Sequence, residues 1–226
     1  PHSNGCDNIN PIHCMLPFPS NAFLLDDSTT VTGKRINYAA NSLPGSGSKS
    51  VIEIPLINQM DGFSTSTQIM TAFSSIPIID MLARQNNISL SMNSGHQTML
   101  VNMDTGELVE HWVELDARAE EGEAVILHIR TIKHLEFNTE YSVLVHGLSD
   151  ELGELIEPSQ ALNAIMNGNT TDSLDIEDRR EDISLLIDYF IEEKNVERSG
   201  IQAVWSFTTN SAESALGPTI HMRDDA

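Results

Sequence analysis

One segment carries three carboxylates and a tryptophan at alternate positions: Glu110, Trp112, Glu114 and Asp116. In an extended chain, alternate side chains share a face and lie roughly 6.6 Å apart. This spacing is close to the roughly 6.5 to 9.5 Å that separates the carboxyl groups of inverting glycosidases, and the indole could support a sugar ring. Nothing else in the chain supports that chemistry. The sequence therefore favours a solvated strand face, with Trp112 covering a loop or helix, and sugar binding is the alternative hypothesis.

The serines offer no nucleophile. A serine hydrolase of the α/β type places its nucleophile in a Gly-x-Ser-x-Gly turn, and this sequence has no such pentapeptide. Gly45-Ser-Gly-Ser48 comes nearest, but it lies in a polar stretch that is typical of a linker. Ser64 follows Asp61 and Gly62, which favour a bend. We therefore expect no catalytic residue in this chain.

The chain has only two cysteines, Cys6 and Cys14, eight positions apart. A pair confined to one short segment favours a disulfide formed in an oxidising compartment. Two glycosylation sequons, at Asn87 and Asn169, are compatible with that environment. The sequence predicts a secreted protein.

The candidate metal ligands are dispersed. None of the histidines lies at a ligand spacing such as His-x-x-x-His, so no metal site is predicted. The acidic pairs Asp26-Asp27 and Asp104-Thr-Gly-Glu107 lack the alternating oxygen ligands of a calcium loop. Calcium binding is therefore only an alternative hypothesis, and the sequence predicts no particular cofactor. The eight histidines are His2, His13, His96, His111, His128, His134, His146 and His221.

The charge of the chain restricts its partners. Its 226 residues carry a formal net charge of −21, which repels phosphate backbones and anionic membranes. We therefore expect no nucleic-acid partner. No apolar run approaches the roughly 20 residues that span a bilayer, so no membrane span is predicted. With 40% hydrophobic residues, the chain can bury one substantial core.

Most of the chain alternates apolar and polar residues between turn signals, which is typical of strands with one buried face. The turn signal between the third and fourth predicted strands, Asp104-Thr-Gly-Glu107, predicts that those two strands form a hairpin. Short strands with frequent turns favour a mainly β protein built as an immunoglobulin-like antiparallel β-sandwich. The predicted strands are residues 50–56, 68–73, 99–103, 108–115, 124–130, 140–146 and 203–209.

Helical patterns occur late in the chain. Residues 161–167 end at Gly168, a natural C-terminal cap, and residues 177–196 carry an apolar stripe at helical spacing. We therefore predict a helical insertion over about 158–200. The predicted organisation is a disulfide-clasped extension over residues 1–50, followed by the β-sandwich with its insertion over 51–226.

Two motifs suggest relatives. Leu16-Pro-Phe-Pro-Ser-Asn-Ala-Phe23 and Asp61-Gly-Phe-Ser-Thr-Ser-Thr67 resemble the N-terminal domain of bacterial extracellular, virulence-factor-type lipases and related actinobacterial secreted proteins. Three later segments, Tyr141 to Leu148, Asp150 to Gly153 and Trp205-Ser-Phe-Thr-Thr209, resemble the end of a bacterial immunoglobulin-like domain. This resemblance implies a β-sandwich that leads a longer polypeptide, with any hydrolase chemistry in the part that follows.

Three functions are compatible with these features. The first is a secreted, non-catalytic module for recognition, whose partner is the remainder of its precursor or another extracellular protein. The second is a processed fragment of a lipase-like or esterase-like hydrolase whose active site lies on a companion polypeptide. The third is a carrier of a small apolar ligand, since a sandwich with a helical lid can enclose a pocket.

Overall fold

The computed structural model describes residues 6–40, 42, 53–117 and 124–225. Over these ranges the protein is mainly β, with eight strands in three antiparallel sheets and five α-helices. The strands are Leu24–Asp26 (β1), Lys34–Ile36 (β2), Ile69–Phe73 (β3), Thr98–Asn102 (β4), His111–Leu115 (β5), Val125–Thr131 (β6), Glu140–His146 (β7) and Ile201–Thr208 (β8). The helices are Ile54–Ile57 (α1), Gln160–Met166 (α2), Leu174–Asp178 (α3), Arg180–Lys194 (α4) and Ala212–Asp224 (α5).

Two three-stranded sheets pack against each other. One has the strand order β3-β6-β5 and the other β4-β7-β8, while β1 and β2 form a separate small hairpin. Alternate residues of both sheets point into one shared apolar core, as the period of two requires. The arrangement is consistent with a β-sandwich. The strand residues in this core are Ile69, Phe73, Leu100, Val113, Leu127, Ile129, Tyr141, Val143, Val145, Trp205 and Phe207.

A helical layer covers the outer face of the β4-β7-β8 sheet. Met99, Val101, Leu144 and Val204 point away from the shared core and join a second apolar cluster. Helices α2, α3 and α4 supply the opposite side of that cluster, including Ile176, Ile183, Ile187 and Phe190. Strand β7 is therefore buried on both faces, and this explains why its residues 141–145 are all buried.

The helical segment lies between β7 and β8, where the sequence places it, but it is not one long helix. The predicted helix over 177–196 breaks at Arg179, whose φ and ψ of −103° and 1° separate α3 from α4. The guanidinium of Arg179 binds Asp7, which lies near the start of the chain. A contact 172 positions away cannot be inferred from the apolar stripe that predicted a continuous helix.

The first strand prediction is wrong. Of residues 50–56, positions 50–52 lie outside the described residues, and Ile54–Ile57 forms α1 instead of a strand. Pro55 occupies the first turn of that helix, where its missing N–H is not needed. The structure also adds two elements that the pattern did not indicate, the β1–β2 hairpin and α5.

The predicted hairpin of residues 99–103 and 108–115 forms only next to its turn, where Val101 and Leu108 pair antiparallel. The amide of Asn102 donates to the Glu107 carbonyl at 2.9 Å, and that of Val109 donates to the Leu100 carbonyl at 2.8 Å. After Val109 the chain crosses to the other sheet, where β5 pairs with β6. That pairing places His111 and Val113 in the interior. Long-range pairing therefore overrides the local turn signal.

The segment before β1 bridges the edges of the two large sheets. The predicted disulfide between Cys6 and Cys14 is confirmed. Phe18 pairs with Met70 on the edge strand β3. One residue later, the Pro19 carbonyl accepts a 2.8 Å hydrogen bond from the indole N–H of Trp205 on the edge strand β8. This segment therefore closes one side of the sandwich.

A buried ion pair joins the same segment to the helical layer. The Asp7 side chain is 0% exposed, and its Oδ1 lies 2.6 Å from the Arg179 guanidinium. Asp7 also accepts hydrogen bonds from the amide of Ile9 at 3.0 Å and the hydroxyl of Ser20 at 3.4 Å. Arg179 binds Asp175 at 3.1 Å as well. Every Asp7 oxygen is thus occupied, as a buried carboxylate requires.

We predict that the substitution Arg179→Met lowers the free energy of unfolding by about 3 kcal/mol, because it leaves the Asp7 carboxylate buried and unpaired. Adding Asp7→Asn should recover part of this loss, since the double variant buries no unpaired charge. Urea unfolding of both variants measures the effect.

The matched control is Arg198→Met, which removes an ion pair with Asp188 whose side chains are 48% and 51% exposed. That change should lower the free energy of unfolding by less than about 1 kcal/mol. Equal losses for Arg179→Met and Arg198→Met would contradict a special role for the buried pair.

Candidate functional site

A groove of about 1800 Å³ lies beside the β8 edge of the sandwich. Its walls come from the clasped N-terminal segment, the β1–β2 hairpin, α2 to α4 and the middle of β8. The ion pair between Asp7 and Arg179 lies in this lining, so the same contact that joins the segment to the helices also shapes the groove.

The groove is strongly acidic. Seven of its lining residues are acidic and two are basic. Four of the seven carboxylates are engaged by a neighbouring side chain: Asp7 and Asp175 by Arg179, Asp26 by Lys34, and Glu140 by Asn21. The carboxylates of the other three form no ion pair or hydrogen bond with any described residue, and all three residues are exposed. These three are Asp172, Asp178 and Asp182.

Exposed leucines lie next to these free carboxylates. Leu174 is 81% exposed at the start of α3, and Leu185 is 62% exposed on α4. Both line the groove. The groove therefore presents negative charge and aliphatic surface side by side, which suits a ligand that carries both positive and apolar groups.

The residues of the sugar-binding hypothesis, Glu110, Trp112, Glu114 and Asp116, lie outside this groove. The predicted alternation holds within β5: His111 and Val113 are buried, while Trp112 and Glu114 are partly exposed on the other face. Glu110 and Asp116 flank the strand. The tryptophan and Glu114 therefore lie on the face of the β3-β6-β5 sheet that points away from the core.

The carboxylate of Glu114 already has two hydrogen-bond partners. Its Oε2 accepts a 2.6 Å bond from Arg130, and its Oε1 a 3.2 Å bond from Gln85. Burial, the largest single effect, raises the pKa of Glu114. The hydrogen bond from Arg130, the nearby indole N–H of Trp112 and the charges of Arg130 and His128 together outweigh burial, so the pKa lies below its ordinary value. This carboxyl is therefore poorly suited to donate a proton as a general acid.

Both sequon asparagines are exposed. The side-chain oxygen of Asn87 accepts a 2.6 Å hydrogen bond from the amide of Arg84. Asn169 immediately precedes Thr170 and Thr171, which line the groove. A glycan at Asn169 would therefore stand at the rim of the groove, and glycosylation of both residues stays a prediction.

Three of the dispersed histidines come together between the sheets, which sequence spacing did not indicate. His96 accepts from the Ala83 amide at 2.9 Å and donates to the Thr98 carbonyl at 2.8 Å. His111 donates to the Val109 carbonyl at 2.8 Å and accepts from the Thr98 hydroxyl at 2.9 Å. His146 donates to the His96 carbonyl at 3.1 Å. The nitrogens of His96 and His111 are thus all used in holding loops and strands.

Other reactive combinations are not assembled into a site. The Ser66 hydroxyl hydrogen-bonds to His134, but the pair is exposed and no carboxylate among the described residues contacts that histidine. In the described part of the chain, no group of three or more His, Cys, Asp or Glu side chains is arranged to hold a metal ion. Of the acidic pair considered for calcium, Asp26 binds Lys34 and Asp27 binds Arg35.

Neither a protein-family model nor a curated protein matches this sequence. The resemblance to lipase N-terminal domains therefore stays a prediction. Within the described ranges, no helix has both the length and the apolar character needed to cross a bilayer.

We predict that the buried histidines make the fold sensitive to acid. Burial lowers the pKa of His111 to about 4 from the ordinary histidine value of about 6.5, and it also lowers the pKa of His96 and His146. Between these two pH values the unfolded chain binds a proton that the folded chain does not. Stability is therefore full above about pH 6.5 and falls as the pH approaches 4, by about 2 kcal/mol at pH 5 for His111 alone.

Urea unfolding at about pH 7.5 and about pH 5 tests this effect. The variant His111→Gln should be less stable at the higher pH but lose less on acidification than the wild type, because that titrating group is gone. His221→Gln, on the exposed face of α5, is the control and should keep the wild-type loss. If His111→Gln and wild type lose equal stability on acidification, His111 does not carry the effect.

We predict that the Trp112 face does not bind carbohydrate, because Arg130 and Gln85 already occupy Glu114. On a panel of soluble glycans, the wild type and Trp112→Ala should behave alike and show negligible binding. Binding by the wild type that disappears in Trp112→Ala would place a sugar site on this face.

Proposed function

We propose that this protein is a secreted, non-catalytic recognition module that binds an extracellular polypeptide in the groove beside β8. The groove itself is the observation that carries the proposal. It holds three carboxylates without partners among the described residues and two highly exposed leucines. Such groups on a two-layer scaffold favour association, since a complementary ligand would pair the carboxylates with positive charge and bury the leucines.

Several features support an extracellular setting. The disulfide between Cys6 and Cys14 suits an oxidising compartment. Asn87 and Asn169 are exposed, as glycosylation requires. The net charge of −21 keeps such a protein dispersed and disfavours nucleic acid.

The immunoglobulin-like lineage and the place in a longer precursor are part of the same proposal. Packing of two antiparallel sheets around Trp205 and Phe207 supports an immunoglobulin-like sandwich. The motif Leu16–Phe23 supports a leading module, because in the proteins it resembles this domain precedes a longer polypeptide. On that basis the partner is the remainder of the precursor or another extracellular protein.

Recognition is better supported than the two alternatives. A hydrolase fragment would depend on a companion chain. In the described part of the chain, only Ser66 and His134 join a serine and a histidine side chain by a hydrogen bond, and this exposed pair lacks the carboxylate of a catalytic triad. A carrier of apolar ligands would desolvate the lining carboxylates, which costs free energy without a compensating charge.

Site-specific photocrosslinking tests the proposal. A photoreactive residue in place of Leu174 reports on the groove, and one in place of Met81, which is 80% exposed and outside the groove, is the matched control. In the source organism, we expect the protein in the medium, with an extracellular polypeptide crosslinked at position 174 and not at position 81.

Mass spectrometry identifies the crosslinked chain. Equal crosslinking at both positions, or none at position 174, would contradict recognition through the groove. Retention of the protein inside the cell would contradict the extracellular setting.

A further inference from the structure

We infer that the ligand of this groove is an extended polypeptide segment that carries both lysine or arginine and aliphatic side chains. The inference rests on the proposed function and specifies the chemistry of the partner. Four observations carry it: the charge of the lining, the adjoining leucines, an open main-chain position on β8 and the size of the groove.

Charge complementarity selects a basic ligand. Asp172, Asp178 and Asp182 line the groove, and their carboxylates form no hydrogen bond or ion pair with another described residue. Each can accept a charge-assisted hydrogen bond from lysine or arginine. An acidic ligand would be repelled by the same carboxylates and by the overall charge of −21.

Each of two helices in the lining pairs an acid with a leucine. Leu174 and Asp178 are four residues apart in α3, and Asp182 and Leu185 are three residues apart in α4. Residues at these spacings lie on the same side of a helix, one above the other. A ligand in the groove therefore meets aliphatic and acidic groups side by side, which matches a chain that carries both aliphatic and basic side chains.

Strand β8 offers a main-chain contact. It is the edge strand of its sheet, and its pairing with β7 continues into a hydrogen bond from the Thr209 amide to the Thr139 carbonyl. In an antiparallel ladder, the main-chain N–H and C=O groups of every second residue point toward the neighbouring strand. Counting back from Thr209, these groups point toward β7 in the odd-numbered residues of β8 and away from β7 in Ser206. Ser206 lines the groove and its main chain has no partner among the described residues. It can therefore pair with one residue of an extended peptide.

The size of the groove excludes a single small ligand as the best fit. Pockets for small molecules enclose roughly 300 to 1000 Å³, whereas this groove measures about 1800 Å³. A linear polyamine would pair with the carboxylates, but it would leave the Leu174 side chain exposed and the Ser206 main chain without a partner. A polypeptide satisfies all three kinds of group.

Isothermal titration calorimetry with defined probes tests the inference. The probe is a ten-residue peptide built on the repeat Lys-Lys-Val-Val with blocked ends, which carries lysine and valine on each face when extended. Its comparators are the same peptide with glutamate for lysine, and spermine. At about 50 mM salt the wild type should bind the lysine peptide at least about tenfold more tightly than either comparator.

Matched variants locate the interaction. The triple variant Asp172→Asn, Asp178→Asn, Asp182→Asn should weaken binding of the lysine peptide about tenfold. The control, Glu151→Gln, Glu192→Gln, Glu193→Gln, removes the same number of charges from exposed positions outside the groove and should change affinity less than about twofold. Equal weakening in both variants would overturn the groove as the site.

Amide hydrogen exchange by NMR supplies the structural readout. Saturating lysine peptide should slow exchange at Ser206 at least about tenfold, while Trp205 and Phe207, which face β7, stay unchanged. Unchanged exchange at Ser206 would overturn main-chain pairing. Equal binding of the lysine and glutamate peptides, tighter or equal binding of spermine, or no binding of the lysine peptide would overturn the ligand class. A non-basic partner crosslinked at position 174 would leave recognition standing while this inference fails.

Discussion

The buried ion pair between Asp7 and Arg179 is the contact on which the rest of this structure depends. It joins two segments that are 172 positions apart in the sequence. The acid belongs to the clasped N-terminal segment, which touches both sheet edges, and the base lies at the break between α3 and α4. Because the Asp7 side chain is fully buried, its charge must be matched by Arg179, and this requirement fixes how the helices sit relative to the segment.

The β4-β7-β8 sheet explains why an ion pair between the N-terminal segment and the helices is needed. Strand β7 is covered by the other sheet on one face and by the helices on the other, so it has no solvated side. Its neighbour β8 is an edge strand, and an open strand edge can pair with other chains. The N-terminal segment covers part of that edge through Pro19 and Trp205. Ser206, which lines the groove, keeps a main chain without a partner among the described residues.

The sequence predicted those parts of the fold that depend on local pattern. Alternation located β7 and β8 closely, and the cysteine spacing predicted the disulfide. It did not predict the sheet to which β5 belongs, because the turn after β4 forms as expected and only the later pairing with β6 sends the chain across. Nor could it predict the helix break at Arg179, whose partner is remote in sequence.

The groove was harder to predict, for a related reason. Asp172, Asp178 and Asp182 look like the ordinary polar residues of a solvated helix face, and nothing in their spacing sets them apart. What distinguishes them is that their carboxylates form no ion pair or hydrogen bond with a described residue and that they line one groove together with Ser206 of β8, both of which are products of tertiary structure. By contrast, the carboxylates that did stand out by spacing, around Trp112, include one that Arg130 already neutralises.

The most direct test of this account is hydrogen exchange mass spectrometry on the wild type and on Arg179→Met. If the ion pair holds the groove together, exchange should accelerate in peptides covering residues 7–23 and 174–186, while the β3-β6-β5 sheet keeps its protection. A uniform acceleration over the whole chain, or no change near the groove, would contradict the account.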